Sequence, residues 1–147
     1  MSKNISNSID KTARILVVGE AEDETRNLAD ALAGTYHISA ARHVADAARR
    51  LRKEIFSVII FDLTDDGSDL VNILQTLGQL SPHSPVIVIG HPHDARLIVS
   101  AVKAGAFDFV TKPYPPEKIK LSVHQALENR SLKNEIGYLR RDRKSVV

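Results

Sequence analysis

The apolar run that ends at Asp62 constrains the fold more than any other part of the chain. From Phe56 to Phe61 the residues are Val, Ile and Phe except for Ser57, and the run stops abruptly at a carboxylate. Strands that helices cover on both faces have this composition, because neither face meets water. The run therefore predicts an inner strand of a parallel sheet, with Asp62 at its carboxyl end.

Similar short runs alternate with helical patterns along the chain, which indicates repeated βα units. The predicted strands cover residues 14–18, 36–40, 57–61, 85–89 and 107–110. Apolar residues at helical spacing predict helices over 21–33, 44–51, 70–80 and 95–104, and a last helix that begins near Pro115 and Pro116. The fold class is therefore α/β, a doubly wound, five-stranded parallel sheet with helices on both faces.

Length and composition indicate one domain with short extensions. The chain has 147 residues, of which 43% are hydrophobic. We expect a flexible leader over 1–12, the domain over 13–128 and a helical, linker-like extension over 129–147. In that extension Leu132, Ile136 and Leu139 follow a coiled-coil spacing, although a solvated tail is the alternative. This spacing predicts a C-terminal helix longer than the domain itself needs.

Composition also limits the partners and the compartment. The chain has no cysteine, which suits a reducing cytoplasm, and no apolar run long enough to cross a membrane. The net charge of +2 does not imply a polyanion partner. The basic cluster from Arg140 to Lys144 lacks aromatic partners, so we expect a charged linker end without direct contact to nucleic acid.

Two acids and a lysine follow separate predicted strands. Glu20 comes after the first strand, Asp62 ends the third, and Lys112 follows the fifth and precedes Pro113. Ligands of open α/β sheets bind at the edge formed by the carboxyl ends of the strands. Carboxylates and an ammonium at that edge predict a site for a divalent cation and a phosphoryl group.

Other kinds of site are poorly supported. The chain contains neither a glycine-rich nucleotide loop nor a Ser, His and Asp set in hydrolase order. His91 and His93 lack an assignable third ligand, so we expect them to be solvated. We therefore predict that the protein is not an enzyme in its own right.

Four motifs resemble the receiver domain of bacterial two-component response regulators, from about residue 14 to residue 127. They are Ile15-Leu-Val-Val-Gly-Glu20, Val58-Ile-Ile-Phe-Asp62, Pro85-Val-Ile-Val-Ile-Gly90 and Ala104-Gly-Ala-Phe-Asp-Phe-Val-Thr-Lys-Pro113. The extension is similar to the linker that leads into an AAA+ module in NtrC-type, sigma-54-dependent regulators. The resemblance implies a flavodoxin-like sheet with strand order 2-1-3-4-5.

The resemblance also implies roles for individual residues. Asp62 would accept a phosphoryl group from a sensor histidine kinase, and Lys112 would contact the phosphoryl oxygens. Magnesium would be held by Asp62, Glu20 and the backbone carbonyl of Thr64. The bond between Lys112 and Pro113 is expected to be cis.

Three positions depart from the family pattern. Gly19 stands where the family has a second acid, so we expect weakened Mg²⁺ affinity, with Glu22 or Asp23 as candidates to compensate. Gly90 replaces the Ser or Thr whose hydroxyl binds the phosphoryl group. Phe109 occupies the aromatic switch position without a hydroxyl. These departures describe a receiver with a degenerate acidic pocket.

Two functions therefore remain open. The first is a phosphorelay receiver that is phosphorylated on Asp62 and then changes its dimerisation or partner contacts. The second is a phosphorylation-independent pseudo-receiver that serves as a protein-interaction and dimerisation module. The chain would form a homodimer in either case. Part of the surface would be apolar, although core packing explains most of its residues equally well: Val99, Val102, Lys103, Ala106 and Phe107. In the first case the partners are a kinase and an AAA+ or other effector domain beyond the C-terminus, in the cytoplasm.

Overall fold

A five-stranded sheet and five helices make up the computed structural model, which describes residues 13–93 and 95–130. The strands are β1 (Arg14–Val18), β2 (His37–Ala41), β3 (Val58–Asp62), β4 (Val86–Gly90) and β5 (Asp108–Thr111). Four helices lie between them: α1 (Glu22–Ala33), α2 (Val44–Lys53), α3 (Leu70–Leu80) and α4 (Ala95–Lys103). A fifth, α5, covers residues 116–130 of the described part.

All four strand pairings are parallel, and the order in the sheet is β2-β1-β3-β4-β5. The predicted fold class and strand order are thus confirmed. Strands β2 to β5 each lie one residue further along the chain than predicted. The apolar pattern predicts which residues are buried, whereas the ends of a strand depend on its pairing with the neighbouring strands. Asp62 pairs with Ile89, and Gly90 pairs with Thr111. Asp62 and Gly90 are therefore strand residues, which fixes their backbone positions.

The core has two layers, one on each face of the sheet. Successive side chains of a strand point to opposite faces. Leu16 and Val18 accordingly pack with residues of α2, α3 and α4, whereas Ile15 and Val17 pack with residues of α1 and α5. Strands β1, β3 and β4 are buried over almost their whole length. The buried and paired inner strands therefore determine where the residues at their carboxyl ends lie.

Parts of the predicted organisation lie outside the described residues. These are the leader over 1–12, the apolar seam formed by Leu132, Ile136 and Leu139, and the basic cluster that follows it. Within the described part α5 continues to residue 130, two residues past the predicted domain boundary. No helix in residues 13–93 and 95–130 combines the length and apolar character needed to cross a membrane.

Candidate functional site

Four of the predicted site residues lie at one edge of the sheet, because backbone pairing continues just past the strand ends. Three backbone amides donate to a carbonyl of the neighbouring strand there: Gly19 to Ala41 at 2.9 Å, Leu63 to Ile89 at 2.7 Å and Lys112 to Gly90 at 3.0 Å. Gly19, Asp62, Gly90 and Lys112 therefore lie side by side, as the resemblance implies.

Asp62 and Lys112 form a buried ion pair at this edge. Lys112 Nζ lies 2.6 Å from Asp62 Oδ1, and the side chains are 12% and 3% exposed. Apart from this pair, Asp62 Oδ1 has no hydrogen-bond donor among the described residues. Burial raises the pKa of Asp62, although the ammonium opposes the rise and Glu24 adds to it. The bond between Lys112 and Pro113 is cis, as expected.

Glu24 is the second acid of the pocket, and sequence reasoning did not single it out. Its Oε2 lies 2.6 Å from Lys112 Nζ, so one ammonium serves two carboxylates. The hydrogen bond and charge of Lys112 lower the pKa of Glu24. Burial alone would lower the pKa of Lys112, but the hydrogen bonds and charges of Asp62 and Glu24 raise it overall. The signal was a third acid in the first turn of α1, where the helix dipole favours negative charge.

The other acids near β1 have different partners. Glu20 Oε1 lies 3.3 Å from His43 Nδ1, at the start of α2, and its side chain is 66% exposed. Glu22 pairs with Arg42 at 3.6 Å. The carboxylates of Glu20 and Glu22 thus contact the loop between β2 and α2, whereas Glu24 contacts Lys112.

Gly19 leaves a space that Thr25 fills. A Cβ atom added to Gly19 would lie 2.7 Å from Thr25 Oγ1 and 3.1 Å from Asp62 Cβ. Thr25 is only 7% exposed, and its hydroxyl has no hydrogen-bond partner within the described residues. An aspartate at position 19 would therefore collide with this threonine.

Leu63 lies against Gly90, the position where the family has a Ser or Thr hydroxyl. A Cβ on Gly90 would lie 3.2 Å from Leu63 Cβ and 3.4 Å from Leu63 O. Phe109 is buried in the core layer that also contains Leu63. Leu97 of α4 in turn packs on Gly67, whose φ is +80°. The loop after Asp62 thus contacts β4 and α4 through apolar atoms.

The two aspartates that follow Thr64 stabilise their own turn. Asp65 Oδ1 accepts a hydrogen bond from Gly67 N at 2.8 Å, and Asp66 Oδ1 accepts one from Ser68 N at 3.0 Å. His91 and His93 are exposed, as expected. Across the ranges that the structure describes, no three His, Cys, Asp or Glu side chains form a ready cluster for a metal ion.

The donors beside Asp62 nevertheless suit a hard cation. Mg²⁺ takes oxygen ligands and keeps several waters, so one or two carboxylates suffice. Asp62 and Glu24 supply carboxylate oxygens, and the unpaired hydroxyl of Thr25 adds a buried polar atom. The pocket thus fits a hydrated divalent cation of the kind that receiver domains typically bind.

Comparisons with known proteins identify the family. The family model described as "Response regulator receiver domain" matches residues 15–124. The C4-dicarboxylate transport transcriptional regulatory protein DctD of Pseudomonas aeruginosa is 33% identical over 123 residues, which cover 80% of this chain and 27% of DctD. The chain spans about a quarter of the length of such curated relatives.

Solved structures share the fold. The beryllofluoride-activated NtrC4 receiver domain dimer is 32% identical with a TM-score of 0.72, over 80% of this chain and 98% of that one. NtrX from Brucella abortus, in complex with ADP, is 28% identical with a TM-score of 0.78, over 88% of this chain and 29% of that one. The chain belongs to the response regulator receiver domain family, and its relatives are regulators of the NtrC type.

Proposed function

We infer that this receiver accepts a phosphoryl group on Asp62 from a sensor histidine kinase. The observation that carries the proposal is the 2.6 Å contact between Asp62 and Lys112 in a pocket where both side chains are largely buried. Burying an ion pair is costly unless its geometry is good, so a buried acid and lysine at a strand edge favour a functional role. The family match supports the same role for Asp62.

The chemistry requires little of the protein beyond positioning and charge. An Asp62 carboxylate oxygen forms a bond to phosphorus while the bond between phosphorus and the kinase imidazole nitrogen breaks, and the electron pair returns to that nitrogen. The product is an acyl phosphate. Lys112 already lies at Asp62, so its ammonium is placed to neutralise charge on the phosphoryl oxygens.

Magnesium would supply further charge neutralisation when bound. Asp62 and the backbone carbonyl of Thr64 would hold it, together with a second carboxylate from Glu20 or Glu24. The missing acid at Gly19 supports a weaker affinity than a pair of adjacent aspartates would give.

The phosphorylated domain would signal through dimerisation or partner contacts. The NtrC4 relative is described as a receiver domain dimer, and relatives such as DctD are transcriptional regulators. We therefore propose a receiver over 13–128, a helical linker over 129–147 and an effector domain beyond it, acting in the cytoplasm. Because Gly90 has no hydroxyl, the signal would travel through charge and loop ordering around Asp62 and Lys112.

Intact mass after incubation with acetyl phosphate and Mg²⁺ tests the proposal. We expect one added phosphoryl group that hydroxylamine removes, as it does from an acyl phosphate. Asp62→Asn should stay unmodified, whereas Asp66→Asn, which removes an exposed aspartate of the same loop, should be modified like the parent. A folded parent that gains no mass would instead support the phosphorylation-independent module.

A further inference from the structure

Helix α1 fills the space beside Asp62 that the absent side chain at position 19 leaves. Thr25 Oγ1 lies 2.7 Å from the point where a Cβ of Gly19 would stand, and that point is 3.6 Å from Asp62 Oδ2. The Thr25 side chain is more than nine-tenths buried, and its hydroxyl lacks a partner among residues 13–93 and 95–130. A buried hydroxyl without a partner is unfavourable, so this atom is available to a polar ligand of the pocket.

The residue before Thr25 brings a carboxylate to the same place. Glu24 Oε2 and Asp62 Oδ1 each lie 2.6 Å from Lys112 Nζ, so the two carboxylates are neighbours around one ammonium. The Glu24 side chain is 56% exposed. Glu24 can therefore exchange its partner without disturbing the core. Two carboxylates and a hydroxyl are the oxygen donors that a divalent cation prefers.

Glu20 has a different environment. Its carboxylate lies 3.3 Å from His43, at the start of α2, on an exposed surface. Glu20 is the acid that the family pattern would assign to the metal, whereas Glu24 is the acid that contacts Lys112. The family pattern thus favours Glu20 as the metal ligand, whereas the contacts in the structure favour Glu24.

We propose that Glu24 and Thr25 form the divalent-cation site together with Asp62, so that helix α1 supplies what the end of β1 lacks. The proposal deepens the phosphoacceptor function, because the cation would serve transfer at Asp62. Cation binding can be tested without a phosphoryl donor, so the cation site and the phosphoacceptor function can fail separately.

Lys112 gives the proposal a further consequence. Its ammonium now neutralises both carboxylates, so a cation must displace it from at least one of them. Removing that positive charge should tighten cation binding, and the gain should depend on Glu24. A purely structural role of Glu24 would not produce this dependence.

Titration of the full chain with Mn²⁺, followed by the electron paramagnetic resonance signal of the free ion, measures the affinity directly. Glu24→Gln should weaken binding about tenfold or more, because the loss of even a group that only supports a metal ligand costs about that much. Glu20→Gln removes the same charge from the other candidate ligand, and the proposal requires this variant to lose clearly less affinity than Glu24→Gln. Lys112→Met should bind more tightly than the parent, and Lys112→Met combined with Glu24→Gln should lose that gain. Mg²⁺ should displace Mn²⁺ from the parent.

Several results would overturn the proposal. The first is a parent that binds no Mn²⁺. The second is a Glu24→Gln variant that binds like the parent. The third is a Glu20→Gln variant that loses as much affinity as is expected for Glu24→Gln. Melting curves of every variant, including Lys112→Met, show that the protein is folded at the temperature of the titration. Phosphorylation by acetyl phosphate, followed separately by mass, then shows whether Asp62 remains a phosphoacceptor when the assignment of Glu24 fails.

Discussion

Lys112 Nζ lies 2.6 Å from Asp62 Oδ1, although the strands that carry these residues are separated by the whole of β4. The contact therefore joins the carboxyl ends of β3 and β5 past the intervening strand, which ends at Gly90. Both side chains are largely buried. If one of the two charges were removed, water could not compensate the other.

Lys112→Met should destabilise the domain, because it leaves the Asp62 carboxylate buried without a counter-charge. We expect a loss of about 3 kcal/mol in the free energy of unfolding at pH 7 without divalent cations, as for other buried pairs that lose one partner. Urea denaturation measures it. The double variant with Asp62→Asn should recover most of the loss, and additive effects of the two substitutions would contradict the coupling.

The penalty of Lys112→Met should shrink as the pH falls. Burial raises the folded-state pKa of Asp62 above its ordinary value of 3.8, and without the ammonium that pKa should rise further. A raised folded pKa favours the folded state when the group is protonated, and this advantage is lost as the pH rises through that pKa. Unfolding curves at several pH values between 7 and 4 should therefore converge for parent and variant. A penalty that stays constant over this range would show that Asp62 is not its source.

Thr25→Val should stabilise the protein by about 1 kcal/mol, because it replaces an unpaired buried hydroxyl by a methyl group. Ser122→Ala is a matched contrast. Ser122 is also buried, but its hydroxyl donates to Asp108 Oδ2 at 2.8 Å, so its removal should destabilise by a similar amount. Thermal unfolding distinguishes the two signs. Destabilisation by Thr25→Val would mean that its hydroxyl has a polar partner even without a cation.

Gly90→Thr would restore the hydroxyl that the family has at this position, but at a cost in stability. Its Cβ would lie 3.2 Å from Leu63 Cβ and 3.4 Å from Leu63 O. We expect a loss of about 1–2 kcal/mol from overpacking. Leu63→Ala should not rescue it, since alanine retains the nearest atom. The proposed function also predicts a larger conformational change on phosphorylation, which amide chemical shifts can measure, and an unchanged response would contradict it.

Sequence reasoning found the parts of the site that local pattern determines. Asp62 and Lys112 were predictable because each follows an apolar run, and parallel strands bring their carboxyl ends together. Glu24 was not, because three successive acids open α1 and only the rotation of the helix against the sheet decides which of them reaches Lys112. The contact of Thr25 with position 19 is likewise a matter of packing between α1 and β1.

Sequence reasoning was also unable to tell which apolar residues of the predicted dimerisation surface are exposed. Sequence reasoning grouped Val99 and Val102 with Ala106 and Phe107 as an apolar surface for dimerisation. In the structure Ala106 is buried and Phe107 packs against the core layer of α1 and α5. Val99 and Val102, one helical turn apart on α4, are 50% and 53% exposed.

Val99→Glu combined with Val102→Glu should therefore weaken self-association without unfolding the domain. Two half-exposed valines on one turn of α4 form an apolar strip beside the edge strand β5, and carboxylates in its place would lose apolar burial and repel each other across a symmetric interface. Sedimentation velocity with and without acetyl phosphate measures the effect. We expect the proposed dimer to weaken about tenfold or more, because charge is depleted in the centre of such interfaces. Ile55→Glu is the matched control: Ile55 is 78% exposed and lies just before β3, at the opposite edge of the sheet from the phosphoacceptor. Equal weakening by the double valine variant and by Ile55→Glu would indicate a general effect of charge. Weakening by the double valine variant alone would identify α4 as the surface through which phosphorylation of Asp62 changes self-association.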